Sequence, residues 1–285
     1  MLKIALPNKG RLSEEVRELF NDAGLEVRAR GERALTASLG GEFEAIFVRA
    51  QDIPEFVADG AAQAGVTGWD LVNEAGRELE PLMDLEFGRC RLVVAARDES
   101  GISRVEDVKE GMRVASCFPR LTQAFFQQRG QKVTVVPVSG AAEIAPHLGI
   151  ADIVVDLTST GSTLKMNGLK EVATVLESSA RLVACPRNGT EARRALEELT
   201  QALGSVLAAR GRRYLMANVP KTSLEQVREV LPGLNGPTVV DVMNGGHFVA
   251  VHAVVSSRNL YRTVNALKAL GGQGILVTRI ERLMA

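Results

Sequence analysis

The chain has 285 residues, with 34 Lys plus Arg balanced by 34 Asp plus Glu, so no global field favours nucleic acid or an anionic membrane, and any anion site has to be local. At about 150 residues per domain this length predicts roughly two domains, with one large or three small ones also inside the range. The 46% hydrophobic and 24% charged content excludes disordered and collagen-like classes, and no apolar run reaches the ~18 residues of a spanning helix. Cys90, Cys117 and Cys185 are odd in number, far apart and in no CxxC pair, which argues against a disulfide framework or thiolate zinc and for a reduced compartment. Ile4-Ala5-Leu6 is too short for the core of a signal peptide and stops at Pro7-Asn8-Lys9-Gly10, so the expected location is cytoplasmic.

In chain order, Leu2 to Leu6 reads as a strand covered on both faces. A polar loop from Pro7 to Arg11 follows, then a helix capped by Ser13 with Glu14 and Glu15 in its first turn and Gly24 past its end. The pattern recurs with Phe43 to Val48, a capping-box start at Asp52-Ile53-Pro54-Glu55, and Gln63 to Val66 ending at Gly68-Trp69-Asp70. Leu92 to Ala96, Arg113 to Ala115, Val133 to Pro137 and Ile153 to Leu157 supply more strands, with a helix over Leu121 to Arg129. Such alternation predicts an α/β fold with a largely parallel sheet, and a second lobe beginning near residue 91.

After a junction at Ala208 to Arg212 the order becomes βαββαβ: strand Tyr214 to Val219, helix Ser223 to Leu231, strands Thr238 to Met243 and Phe248 to Val255, helix Arg258 to Leu270, strand Gly274 to Ile280. This predicts a separate ferredoxin-like domain, with a hairpin turn at Asn244-Gly245-Gly246. His247 and His252, five residues apart on one predicted strand, would point to opposite faces and so argue against a shared metal.

The richest segment for chemistry is Ile153 to Thr163. A buried strand ends in Asp156, and Thr158-Ser159-Thr160-Gly161-Ser162-Thr163 then crowds five hydroxyls and one glycine into six positions. Hydroxyls and free backbone N–H groups at a strand's carboxyl end make a phosphate cup, while Asp156 could bind ribose hydroxyls or magnesium. The bland reading is an ordinary serine- and threonine-rich turn. GxxxxGK[ST], GxGxxG after a strand and GxSxG are all absent, which removes the usual supports of a Walker nucleotidase, a Rossmann dehydrogenase and an α/β-hydrolase.

Leu6-Pro7-Asn8-Lys9-Gly10-Arg11-Leu12, Arg49-Ala50-Gln51-Asp52-Ile53-Pro54, Glu86-Phe87-Gly88-Arg89-Cys90-Arg91-Leu92 and Asp156 to Thr163 resemble, in order along the chain, the ATP phosphoribosyltransferase family. The βαββαβ tail, with Leu231-Pro232-Gly233 and Gly236-Pro237-Thr238, resembles the regulatory domain of its long form. The resemblance implies a two-lobed, periplasmic-binding-protein-like catalytic core, with residues 1–90 and 179–207 in one lobe, 91–178 in the other, and a regulatory domain at 212–285. It also implies the first reaction of histidine biosynthesis: N1 of ATP joined to C1 of phosphoribosyl pyrophosphate (PRPP), with magnesium present and pyrophosphate released.

By the same resemblance, Glu143, Asp156, Thr158, Ser159, Thr160, Gly161, Ser162 and Thr163 would hold PRPP. Lys9, Arg11, Asp70, Glu86 and Arg91 would meet ATP, and Arg49 with Lys9 would serve the transfer, Arg49 at the leaving group. Each cation also reads as a solvated surface charge, Trp69 as a base-stacking ring or as core, and Glu143 as a ribose ligand or as a plain helix start. No direct protein ligand of magnesium is identified; the ion would be held mainly through PRPP. In the tail, Asn218, Leu234, Thr238 and Gly274 would line a feedback site for L-histidine, with an amide at Asn218 a weaker partner for an amino group than a carboxylate. Homo-oligomers, dimers and hexamers, are implied. Two lobes around a cleft also describe a ligand-binding or sensor module, which would need one ligand and no metal.

Overall fold

The computed structural model describes residues 1–29, 31, 34–243 and 246–284, and its backbone contacts divide the chain into two units, Met1–Thr200 and Gln201–Ala285. In the first unit the strands form two sheets. The first is built from β1 (Leu2–Pro7), β2 (Val27–Ala29), β3 (Thr36–Leu39), β4 (Phe43–Val48), β5 (Ala64–Gly68), β6 (Glu80–Asp84) and β12 (Ala180–Ala184), in the order β2-β3-β4-β1-β5-β12-β6. The second contains β7 (Cys90–Arg97), β8 (Arg113–Ser116), β9 (Thr134–Pro137), β10 (Ile153–Thr158) and β11 (Leu169–Ser178), in the order β11-β7-β10-β8-β9. The chain therefore crosses from one sheet to the other before Cys90 and returns between Ser178 and Ala180.

The helices of this unit are α1 (Arg11–Asp22), α2 (Ile53–Ala58), α3 (Trp69–Ala75), α4 (Pro119–Gln127) and α5 (Ser162–Met166), while α6 (Thr190–Ala209) runs through the boundary between the units. On α1 the buried Val16, Leu19 and Phe20 recur at helical spacing. Leu92, Val94, Val114, Phe118, Phe126, Ile153 and Val155 form the core of the second lobe.

Three expectations are corrected. The sheets are mixed rather than largely parallel: β1 runs parallel to β4 and β5, and β8 to β9 and β10, but β12 is antiparallel to β5 and β6, and β7 to β10 and β11. Strands that carry the chain between sheets enter from the opposite end, which reverses their direction. Ser13 does not cap α1; the cap position falls three residues earlier, at Gly10 (φ 81°), and Ser13 is buried inside the helix. Asp52 and Glu55 form no capping box, because Asp52 already has helical backbone at the end of a 3-10 turn and its side chain makes no cap bond.

In the second unit β13 (Arg212–Pro220), α7 (Leu224–Val230), β14 (Thr238–Asp241), β15 (Phe248–Ser256), α8 (Leu260–Ala269) and β16 (Gln273–Arg279) make an antiparallel sheet ordered β14-β15-β13-β16. This is the ferredoxin-like arrangement. Leu215, Ala217 and Val219 alternate inward along β13 and pack with Val227 and Leu267 of the helices. His247 precedes β15 instead of lying on it, and its carbonyl accepts from the Lys221 N–H at 3.0 Å. Of the expected hairpin turn, Asn244 and Gly245 lie outside the described residues.

Gly65 sits on β5 under α2, where an added Cβ would come within 2.5 Å of Ile53 Cγ2 and 2.9 Å of Val57 Cγ2. Gly65→Ala is expected to cost about 1–3 kcal/mol through overpacking, read as a lowered urea midpoint at unchanged slope.

Candidate active site

Two parallel strands of the first sheet end side by side, Pro7 being paired with Val48. Asn8 N–H donates to the Val48 carbonyl at 2.9 Å, tying the loop that bears Lys9 to the one that bears Arg49. Thr67 Oγ1 near the end of β5 donates to the Ala50 carbonyl at 2.7 Å, fixing the third loop to the second. Lys9, Arg11 and Arg49 are thus gathered at one sheet edge and exposed. Arg11 is held by Glu15 at 2.8 Å, one helical turn on.

The second sheet presents its own carboxyl edge. Asp156 lies two residues before the end of β10 rather than at it, half-buried, with the Leu157 N–H donating to its Oδ1 at 2.8 Å. Burial raises its carboxyl above the usual range, and the nearby Glu143 charge adds to the effect. The same two acids, after burial, push up the Cys117 thiol, so Cys117, Glu143 and Asp156 share one electrostatic neighbourhood. Glu143 stands in a 3-10 turn, Ala142–Ile144, following Ala141 in the left-handed region.

The hydroxyl-rich loop is braced from within. Buried Thr158 accepts the Gly161 N–H on its Oγ1 at 2.8 Å, and the Thr160 and Ser162 hydroxyls are 2.9 Å apart. Gly161, at φ 77°, makes the turn into α5. Its N–H is therefore used inside the loop and is not free for a ligand, while Ser159, Thr160, Ser162 and Thr163 stay exposed. Glu143 and Asp156 offer two carboxylates beside this loop, and among the described residues no group of three or more His, Cys, Asp or Glu forms a metal cage. That set fits magnesium, which commonly takes one or two carboxylates and fills its remaining positions with phosphate and water oxygens.

The two edges meet where the chain crosses between sheets. Asp70, 5% exposed, accepts the Ser178 hydroxyl at 2.6 Å, and its own N–H donates to the same Oγ at 3.0 Å. Trp69 N–H donates to the Ser179 carbonyl at 2.9 Å, and the Arg181 guanidinium lies 5.0 Å from its ring centroid. A cavity of about 340 Å³ opens here, lined by Asp84, Arg89, Arg91, Ser159, Glu177 and Arg181 among others. Arg91 is paired with Glu171, Nη1 to Oε2 at 2.8 Å, whose other oxygen lies 3.0 Å from where a Gly161 Cβ would be. Arg91 thus stands beside the hydroxyl loop. Glu86 is exposed in a left-handed turn (φ 64°), its N–H donating to Asp84 Oδ1 at 2.9 Å.

Sequence reasoning missed Arg89, Arg181, Ser178 and Asp84 as cleft residues. Arg89 lay inside a quoted motif; Arg181 and Ser178 could have been found only from the return of the chain at residues 178–182. In the second unit, Asn218 and Gly274 are neighbours, since a Cβ at Gly274 would lie 3.5 Å from Asn218 Nδ2. Thr238 is separated from that strand by β15 and pairs with His252, whose Nδ1 is 2.8 Å from the Tyr214 hydroxyl. Leu234 lines a separate cavity with Arg212, Val254 and Arg258.

Burial is the leading cause that raises the Asp70 carboxyl, opposed by the Ser178 hydrogen bond. The folded chain then binds more protons than the unfolded one from about pH 4 up to the raised value, so this group's contribution to stability falls as pH rises through that window. Asp70→Asn keeps an acceptor for Ser178 without the charge. Urea midpoints of the two proteins at pH 4, 5.5 and 7 should move apart with rising pH, the wild type losing ground; a constant gap would show that burial of the charge is not the governing cause.

Residues 49–205 match the family model described as "HisG: ATP phosphoribosyltransferase", and residues 209–282 the one described as "HisG, C-terminal domain". A protein from Gemmatimonas aurantiaca named ATP phosphoribosyltransferase is 69% identical over all of both chains, and one so named from Methanocaldococcus jannaschii is 44% identical, again over the whole of both. A solved structure described as an ATP phosphoribosyl transferase (HisG:HisZ) complex from Thermotoga maritima is 28% identical, with a TM-score of 0.65 over 73% of this chain and 99% of that one. With end-to-end similarity and both family models matched in order, the chain belongs to the ATP phosphoribosyltransferase family.

Proposed function

We propose that this protein joins N1 of ATP to C1 of PRPP, releasing pyrophosphate, as the first step of L-histidine biosynthesis, and that its second unit carries feedback inhibition by L-histidine. The observation that carries the reading is that one unit holds two unlike strand-end sites, Lys9, Arg11 and Arg49 on the loops after β1 and β4, and the Thr158 to Thr163 loop at the end of β10 with Asp156 on that strand and Glu143 after β9, while the cavity at the crossing between the two sheets is lined by Arg89, Arg91, Ser159 and Arg181. One site suits polyphosphate, the other a ribose phosphate.

The chemistry asks little proton transfer of the chain. Adenine N1 has a free lone pair, so the bond to C1 forms as the bond from C1 to the pyrophosphate oxygen breaks, the electron pair leaving with pyrophosphate. What the residues have to do is hold two polyanions in line and stabilise the departing charge. In this reading the exposed hydroxyls of Ser159, Thr160, Ser162 and Thr163 hold the 5-phosphate, with Gly161 giving the turn and Thr158 bracing it. Asp156 and Glu143 face the ribose hydroxyls and the magnesium that accompanies PRPP. Arg49 and Lys9 meet the leaving pyrophosphate, and Arg11, with Asp70, Glu86 and Arg91 around the cleft, the nucleotide.

Burial raises the Asp156 carboxyl, and a cation or a set of hydroxyl donors beside it would lower it again. Asn218 and Gly274, with Thr238 and Leu234 elsewhere in the same unit, are the candidates to contact histidine. Homo-oligomers, dimers and hexamers, and a cytoplasmic location belong to the same proposal; among the described residues no helix is long and apolar enough to cross a membrane.

The test mixes the protein with ATP, PRPP, magnesium and a pyrophosphatase, and follows the ultraviolet change on alkylation of adenine N1. A rise that needs all three reactants and is suppressed by L-histidine is expected; a rise indifferent to histidine would keep the transferase and remove the regulation. No rise from folded protein at any magnesium level would leave a ligand-binding module as the reading. In the same assay Arg49→Ala should lower kcat about 10²- to 10³-fold, the cost of losing one donor to a developing anion; near-normal turnover would take Arg49 out of that role.

A further inference from the structure

Outside the residues that meet in the cleft, the two lobes of the first unit touch through a pair of helix ends. Helix α3 follows β5 of the first sheet and α4 follows β8 of the second. The Glu74 carboxylate, on α3, accepts the Arg120 N–H on one oxygen and the Leu121 N–H on the other, each at 2.9 Å. These are among the first N–H groups of α4, which have no partner within their own helix and favour an anion. The bond is returned: the Arg120 guanidinium donates to the Ala75 carbonyl at the end of α3, at 3.2 Å. Gly76, at φ +61°, leaves the room for it, since a Cβ there would coincide with the guanidinium. Leu71, one turn back on α3, packs into the core of the second lobe against the cluster that includes Phe118 and Phe125.

Each helix thus supplies the charge that the other's end lacks, across the lobe boundary. The same two helices issue from the sheet edges that carry the half-sites: α3 begins at Trp69 and Asp70, and α4 follows Cys117, whose thiol feels Asp156 and Glu143. We propose that Glu74 and Arg120 form a reciprocal clasp that fixes the spacing of the nucleotide edge and the PRPP edge, making them positioning residues for the transfer. This rests on the transferase reading for its effect on rate, but not for the clasp itself. Neither side chain needs to touch substrate: a misplacement of about 1 Å can cost on the order of 10²-fold when two reactants have to be held in line.

The test uses the full chain with Glu74→Gln, Glu74→Ala and Arg120→Ala. Expected are falls in kcat of about 10- to 100-fold, with the affinity for PRPP alone or ATP alone, by calorimetry, changed less than about threefold. Gln is the discriminating variant, because it matches Glu in shape but turns an amide N–H2 toward one of the two donors. It should fall with Ala, whereas a packing role would leave it like wild type. The double variant Glu74→Ala with Arg120→Ala should be no slower than the slower single one, as for two halves of one device.

Trp69, the chain's single tryptophan, gives a reading free of turnover: Arg120→Ala, on the other lobe, should raise its quenching by acrylamide about twofold. If wild type makes no product, the transferase reading fails and the quenching comparison still decides the clasp. Wild-type kcat in Glu74→Gln, losses in kcat matched by equal losses in single-substrate affinity, or unchanged Trp69 quenching in Arg120→Ala would each overturn it; should Glu74→Ala not fold, the other two single variants decide.

Discussion

Asp70 sits where the chain passes twice between the two sheets of the first unit, and the geometry of the cleft depends on how that crossing is held. A buried carboxylate is tolerated only with a close donor, and here the donor is Ser178, on the strand that leaves the second sheet just before the chain re-enters the first. The bond joins the head of α3 to the return crossing. Trp69 N–H adds a backbone bond to Ser179, so two successive residues of one element are fastened to two successive residues of the other. Without this fastening, nothing in either sheet alone would set the angle at which their carboxyl edges converge.

The convergence explains why residues of modest individual character can form a site. Lys9 and Arg49 are ordinary exposed cations, and the Thr158 to Thr163 loop is a braced turn with several of its hydroxyls outward. Among the described residues, neither half shows a hydrogen-bonded acid–base pair or a nucleophile with an activating base. The transfer proposed above needs position and charge more than proton movement, and in that proposal the crossing and the clasp between α3 and α4 are what supply position. The buried Asp70 and the half-buried Asp156 both have raised carboxyls, one held by the Ser178 hydroxyl inside the fold and the other bonded by the Leu157 N–H just before the hydroxyl-rich loop.

Much of this was legible in the residue order. Apolar runs such as Ile153 to Val155 and Leu92 to Ala96 announce buried strands because each is covered on both faces, and βαββαβ spacing identified the second unit's topology. What escaped were elements whose pattern is irregular. β11 has two register shifts, between Glu171 and Ala173 and between Thr174 and Leu176, which break the alternation that marks a strand. β6 contains Pro81 and has no fully buried residue, and β2 has only three residues. The cap expected at Ser13 failed because a glycine with positive φ begins α1 three residues earlier, and Asp52, although it stands at the N-cap of α2, makes no capping bond because a preceding 3-10 turn gives it helical backbone.

By itself the sequence determined composition-level exclusions, most strand and helix positions, the family and the loops that carry charge and hydroxyls, because these depend on local periodicity and on motifs contiguous along the chain. Only the tertiary structure decided which loops share an edge, that Arg91 is engaged by Glu171 beside the hydroxyl loop, that Arg89, Arg181 and Ser178 line the cleft, and that Glu74 reaches the end of α4. The Glu74–Arg120, Arg91–Glu171 and Asp70–Ser178 pairings join residues 46, 80 and 108 positions apart. No local propensity encodes them; they follow from the way two sheets, each burying its own apolar strands, are threaded twice by one chain and brought edge to edge.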